Sequence, residues 1–95
     1  MTLEPGRYVL LLYTYVPDML EGRVPVRPLH LEHASRAKAE GLLLFGGAVG
    51  DPPTGGIIVF RGDALAEAEE FARTDPYNAA GLITDWRAEP YTVAI

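Results

Sequence analysis

Three apolar runs constrain this chain more than any other feature: YVLLLYTYV at residues 8–16, LLLFGGAV at 42–49 and IIVF at 57–60. An antiparallel strand with one wet face alternates apolar with polar residues. Uninterrupted apolar runs therefore imply a sheet whose two faces are both covered. The longest run holds nine residues, about half of what crosses a bilayer as a helix, so strands are expected here and no membrane partner.

The rest of the chain supplies helices between these strands. Strand one is closed by Pro17, and the proline-bounded stretch PDMLEGRVP (17–25) reads as a loop. Pro28 suits the first turn of a helix, LHLEHASRAKAE follows with strong helix formers, and Gly41 is a stop signal. Residues 51–56, DPPTGG, read as a turn between strands two and three. Asp63 is the expected N-cap of a second helix, ALAEAEEFART, with Leu65, Ala68, Phe71 and Ala72 on its core face. Pro76 interrupts that helix, because the residue before a proline resists the helical conformation. A last strand is expected over Leu82 to Val93, at an edge or bulge because of Pro90.

The order β-α-β-β-α-β, in a single domain over residues 1–95, predicts an α+β fold of the ferredoxin-like kind. A four-stranded antiparallel sheet then carries two helices on one face. Two helices cover only that face, so the other apolar face needs a partner. A second copy of the same sheet is the economical choice, giving a homodimer packed through its sheet faces.

Composition removes several function classes. The chain has no cysteine, which excludes disulfides, thiolate metal sites and cysteine nucleophiles. The net charge is −5 and no cluster of Lys or Arg occurs, so the basic footprint of a nucleic-acid binder is missing. Neither Gly46-Gly47 nor Gly55-Gly56 belongs to a P-loop or a GxGxxG fingerprint, so no nucleotide cofactor is expected. The start, MTLEPGR, lacks the basic-then-apolar pattern of a secretion signal, and a cytoplasmic location is the expectation.

Both histidines lie in RPLHLEH, at positions 30 and 33. Spacing of three puts them on one side of a helix, but a metal site would need third and fourth ligands that no motif provides, so no metal is expected. His30 continues into a stripe of Ala34, Ala37 and Gly41 that faces the sheet, which suits either an acid–base histidine in a cleft or a buried structural one. His33, beside Glu32 and Arg36, reads as a solvated bystander. Asp75 before Pro76 reads as a turn former or cap, or as a functional carboxylate. Arg27, one turn before His30, reads as a surface charge or as a partner for a substrate anion. Tyr8, Tyr13 and Tyr15 read as strand packing, Trp86 and Arg87 as packing, and Ser35 as a solvent contact.

RPLHLEHASRAKAEGLLLFGGAV, GGIIVF and ALAEAEEFARTDPYNAAGLITDWRAEPY together resemble the YciI-like (YCII-related) family of the dimeric α+β barrel group. The resemblance spans nearly the whole chain, most specifically Arg-Pro-x-His-Leu and Asp-Pro-Tyr. It implies dimerisation through the sheets and an active site of His30 and Asp75, with Arg27 and Tyr77 matching family positions as substrate-binding residues. A related protein is a dehydrochlorinase acting on a chlorinated hydroxyhydroquinone, and muconolactone isomerases share the fold at greater distance. The chain departs from the family where DPPTGG replaces a longer glycine-rich loop. The expected function is cofactor-free proton transfer on a small aromatic or lactone-type molecule, as a lyase or isomerase. The alternative is a non-catalytic binding or accessory dimer.

Overall fold

The computed structural model describes residues 3–95; residues 1 and 2 of the expected 1–95 domain lie outside that range. Its elements are β1 (Gly6–Tyr15), α1 (Met19–Gly22), α2 (Arg27–Ala39), β2 (Leu43–Val49), β3 (Gly55–Arg61), α3 (Leu65–Thr74), α4 (Pro76–Ala79) and β4 (Ile83–Val93). The four strands form one antiparallel sheet in the order β2-β3-β1-β4. This is the ferredoxin-like α+β arrangement, with one-turn helices α1 and α4 added to the two expected.

Register decides which side chains meet the helices. Val9 sits opposite Phe60 and Leu11 opposite Ile58, and all four are buried in the core cluster together with Tyr13. Burying each such large apolar side chain stabilises the fold by about 1.5–3 kcal/mol. The alternate residues point the other way: Leu10 pairs with Val59 and Leu12 with Ile57, while Phe45 also pairs with Val59. Val59 is buried among its neighbours yet is absent from the helix-side core, and Phe45 and Val49 stay exposed. The apolar runs thus give this sheet two hydrophobic faces, one under the helices and one without any described element upon it.

The helices depart from expectation in three places. Residues 19–22 in the expected loop form a helical turn, because Met19 is fully buried and pins the segment to the core. Asp63 is not the cap of α3: the N-cap is Ala64, and the Asp63 carboxylate is taken by Arg61 Nε. Starting the helix at Leu65 puts Ala64, Ala68, Phe71 and Ala72 on the buried face and rotates Leu65 outward, so Leu65 is exposed rather than core. Helix α2 ends as expected, with Gly41 at φ +79°, a conformation other residues rarely adopt. Pro90 lies on β4, an edge strand, where its missing N–H is tolerated. Among the described residues, no helix is long and apolar enough to cross a membrane.

Candidate active site

The sequence Asp75-Pro76-Tyr77 builds the centre of the site. Pro76 keeps Asp75 out of the helical region, at φ −63° and ψ 128°, so α3 must stop there. The same residue then caps α4: its Oδ1 accepts the Tyr77 backbone N–H at 2.9 Å. Asp75 is completely buried, and a buried carboxylate is tolerated only when paired and hydrogen-bonded. Tyr13, at the far end of the buried stripe on β1, donates its hydroxyl to Oδ2 at 2.7 Å. The remaining partner is His30, whose Nδ1 lies 2.8 Å from Oδ1 and 3.0 Å from Oδ2.

These contacts decide which nitrogen of His30 carries the proton in the neutral ring. Three donors converge on a carboxylate that can only accept, so Nδ1 bears hydrogen and Nε2 keeps its lone pair. Nε2 makes no hydrogen bond among the described residues. The imidazole is also held against rotation by the Tyr77 ring, stacked at 3.8 Å and 5°. Tyr77 meets Tyr15 edge-on, with centroids 6.3 Å apart. An oriented, carboxylate-backed imidazole with one free lone pair is the geometry of a general base.

His30 opens onto a cleft of about 330 Å³ between α2 and the edge strand β2. Helix α2 buries only Ala37, so it sits shallowly on the sheet, and small residues on both sides keep the space open. Arg27 and Tyr77 line the cleft with Tyr15, Arg23 and Lys38. The structure therefore brings all four sequence-derived site residues, His30, Asp75, Arg27 and Tyr77, to one place. Arg23, Tyr13 and Tyr15 were not singled out as site residues. Arg23 lies in the segment read as a loop, and Tyr13 and Tyr15 in the strand read as packing. The odd-numbered stripe Val9, Leu11, Tyr13 on β1 was the available signal. Ser35, expected in solvent, is exposed but lies at the cleft wall.

Burial raises all three phenols. Tyr15 is pushed up to about 12, chiefly by burial and then by Tyr77 and Asp75, against the pull of Arg23 and Arg27. Tyr13 is raised further, by burial and the Asp75 carboxylate, and Tyr77 is raised by burial while Arg27 and Arg23 oppose it. All three are hydrogen-bond donors at neutral pH.

The two histidines diverge. His33 Nε2 contacts the Phe71 carbonyl oxygen at 3.0 Å and its ring stacks on Phe71 at 4.3 Å. It is half-buried, and instead of the expected solvated bystander it is a clasp between α2 and α3.

Comparison with known proteins agrees with this architecture. Protein YciI of Escherichia coli O6:H1 is 34% identical over 83 residues, 78% of this chain and 85% of that one. An uncharacterised protein of Haemophilus influenzae is 30% identical over 93 residues, 88% of this chain and 95% of its own. Among solved structures, 5-chloro-2-hydroxyhydroquinone dehydrochlorinase of Burkholderia phenoliruptrix, in complex with 2,5-dihydroxybenzoquinone, is similar with a TM-score of 0.74 and 22% identity, covering 92% of this chain and 95% of that one. That likeness establishes the shared fold. The sequence pattern of the YCII-related domain matches residues 7–91, and the chain belongs to that family.

Proposed function

We propose that this protein is a proton-transfer lyase or isomerase acting on a small oxygenated ring compound, of aromatic or lactone type, with His30 and Asp75 as its catalytic pair. The observation that carries the proposal is the 2.8 Å contact from His30 Nδ1 to a buried carboxylate, which leaves Nε2 as the ring's free base beside the cleft. Nε2 takes a proton from the bound molecule, and Asp75 holds the ring and stabilises the imidazolium that forms. Arg27 and Tyr77 position an oxygen of the substrate. In a dehydrochlorination the proton goes to His30 and the electron pair it leaves expels chloride. The product is the substrate less HCl, and no electrons are supplied or consumed. The solved dehydrochlorinase of the same fold makes this the first reaction to try.

We also propose that the working unit is a homodimer packed through the open sheet face. Leu10, Leu12 and Ile57 are only half-buried there, and Phe45 and Val49 are exposed. Light scattering after size exclusion would show twice the chain mass; a monomer at micromolar concentration would contradict it.

The catalytic assignment is tested by screening chlorinated hydroxyhydroquinones for chloride release and unsaturated lactones for isomerisation, with wild type and His30→Gln. Loss of about 100-fold or more in rate on the converted compound supports the base. Full activity in the variant removes it. Tight binding without turnover by the wild type favours the accessory-dimer reading.

A further inference from the structure

The charge of the cleft opposes that of the chain. The protein has 13 Asp and Glu against 8 Lys and Arg, yet Arg23, Arg27 and Lys38 line the cleft and, among the described residues, no carboxylate does. Arg23 and Arg27 stand one turn apart, the Arg27 N–H donating to the Arg23 carbonyl at 2.7 Å. Neither guanidinium forms an ion pair among the described residues. The Tyr15 and Tyr77 hydroxyls, which belong to the same end of the cleft, likewise make no hydrogen bond there. Uncommitted donors of this kind, with no internal acceptor, suit an oxygen that arrives with a ligand.

The shape of the cleft adds a second restriction. Its helix wall includes Ala34 and Ser35, and its sheet wall sets Gly46, Gly47 and Ala48 beside the larger apolar Phe45 and Ile58. Small residues next to apolar side chains leave a slot that suits a flat ring. Tyr15 reaches the site only because Gly56 has no side chain: a Cβ there would lie 2.5 Å from the Tyr15 hydroxyl oxygen.

We infer that Arg23 and Tyr15, with Arg27, hold an ionised oxygen of the substrate distinct from the atom His30 deprotonates, which makes the substrate a flat ring compound carrying a phenolate, enolate or carboxylate. The inference rests on the cleft being the reaction site, and it adds Arg23 and Tyr15 as specificity-determining residues. Arg23 supplies charge; Tyr15 supplies a neutral donor that stays protonated while the ligand is ionised.

Calorimetric titration with the 2,5-dihydroxybenzoquinone dianion, and with neutral 1,4-hydroquinone as the uncharged ring, tests this directly. Loss of a charge-assisted hydrogen bond in Arg23→Gln should weaken the dianion by about 10- to 100-fold, and Tyr15→Phe by about 2- to 10-fold. Arg36→Gln, which removes the same charge from α2 but pairs with Glu32 away from the cleft, should leave the affinity unchanged. Hydroquinone should not respond to Arg23→Gln. Equal weakening by Arg23→Gln and Arg36→Gln, equal loss of both ligands, or no dianion binding by the wild type would overturn the inference. Turnover that survives His30→Gln while Arg23→Gln still loses the dianion would sink the proton-transfer reading and leave the anion subsite standing.

Discussion

Replacing Asp75 by Asn changes one atom and should invert the protonation of a ring it touches. The backbone N–H of Tyr77 must keep an acceptor, so the amide oxygen takes the place of Oδ1, 2.9 Å from that nitrogen. The amide nitrogen then stands where Oδ2 accepts from Tyr13 at 2.7 Å and lies 3.0 Å from His30 Nδ1. Nδ1–H is then left between an amide N–H₂ at 3.0 Å and the amide oxygen at 2.8 Å, a neutral acceptor already shared with the Tyr77 N–H. That oxygen holds the hydrogen more weakly than the carboxylate did, and a shift of the proton to Nε2 lets Nδ1 accept from the amide and removes the base. Two charge-assisted hydrogen bonds become neutral ones and the Tyr13 hydroxyl hydrogen loses its acceptor, a net destabilisation of about 1–3 kcal/mol. In a chain of this size that lowers Tm by roughly 5–20 °C and leaves it folded. The rate should fall by about 10²–10⁴, the range expected when a catalytic histidine loses general-base function or holds the wrong tautomer. Two-bond ¹H–¹⁵N correlation spectra of ¹⁵N-histidine protein, at a pH where both rings are neutral, read the tautomer directly. Wild type should show hydrogen on Nδ1 of His30, and Asp75→Asn hydrogen on Nε2. A variant that keeps hydrogen on Nδ1 with wild-type activity refutes the reasoning.

Further expectations follow from neighbouring contacts. His33→Ala removes the Phe71 carbonyl contact and the ring stacking, and should destabilise by about 1–3 kcal/mol in urea unfolding while leaving ligand affinity within about two-fold. Gly56→Ala, whose added Cβ would lie 2.5 Å from the Tyr15 hydroxyl oxygen, should push the Tyr15 ring out of place and weaken dianion binding several-fold by calorimetry; unchanged affinity would count against that placement. The raised Tyr15 phenol gives a defined alkaline signature. Folding favours its protonated form, so its contribution to stability is complete below the ordinary phenol value of 10.0 and is lost as pH rises from there through about 12. Urea midpoints measured across that window should fall less steeply in Tyr15→Phe than in wild type; parallel curves would count against a raised Tyr15 phenol.

The fold was legible because its strands announce themselves twice. Continuous apolar runs marked β1, β2 and β3, and the same continuity foretold the second hydrophobic face on which Leu10, Leu12 and Val59 now lie. Local chemistry was less reliable where two partners competed. Asp63 has the right residue type for a cap, yet Arg61, two residues away, holds its carboxylate. Met19 was hidden in a stretch punctuated by prolines, and only its complete burial explains why that stretch turns helical and carries Arg23 to the cleft. For the site, periodicity could set His30 apart from His33 but could not join it to Asp75, 45 residues away. Resemblance to the family made that connection. Tyr13 went unrecognised because a tyrosine on a buried strand looks like packing until its hydroxyl is seen to end on a carboxylate.

If His30 Nε2 is a base aimed at a molecule in the cleft between α2 and β2, a crystal structure of the protein with 2,5-dihydroxybenzoquinone will show it. The ring should lie in the slot between Ala34 and Gly46, with one oxygen or ring carbon within about 3.2 Å of Nε2 and a second oxygen on Arg23 and Arg27. A ligand bound away from His30, or an imidazole whose Nε2 points to Asp75 with Nδ1 turned outward, would contradict it.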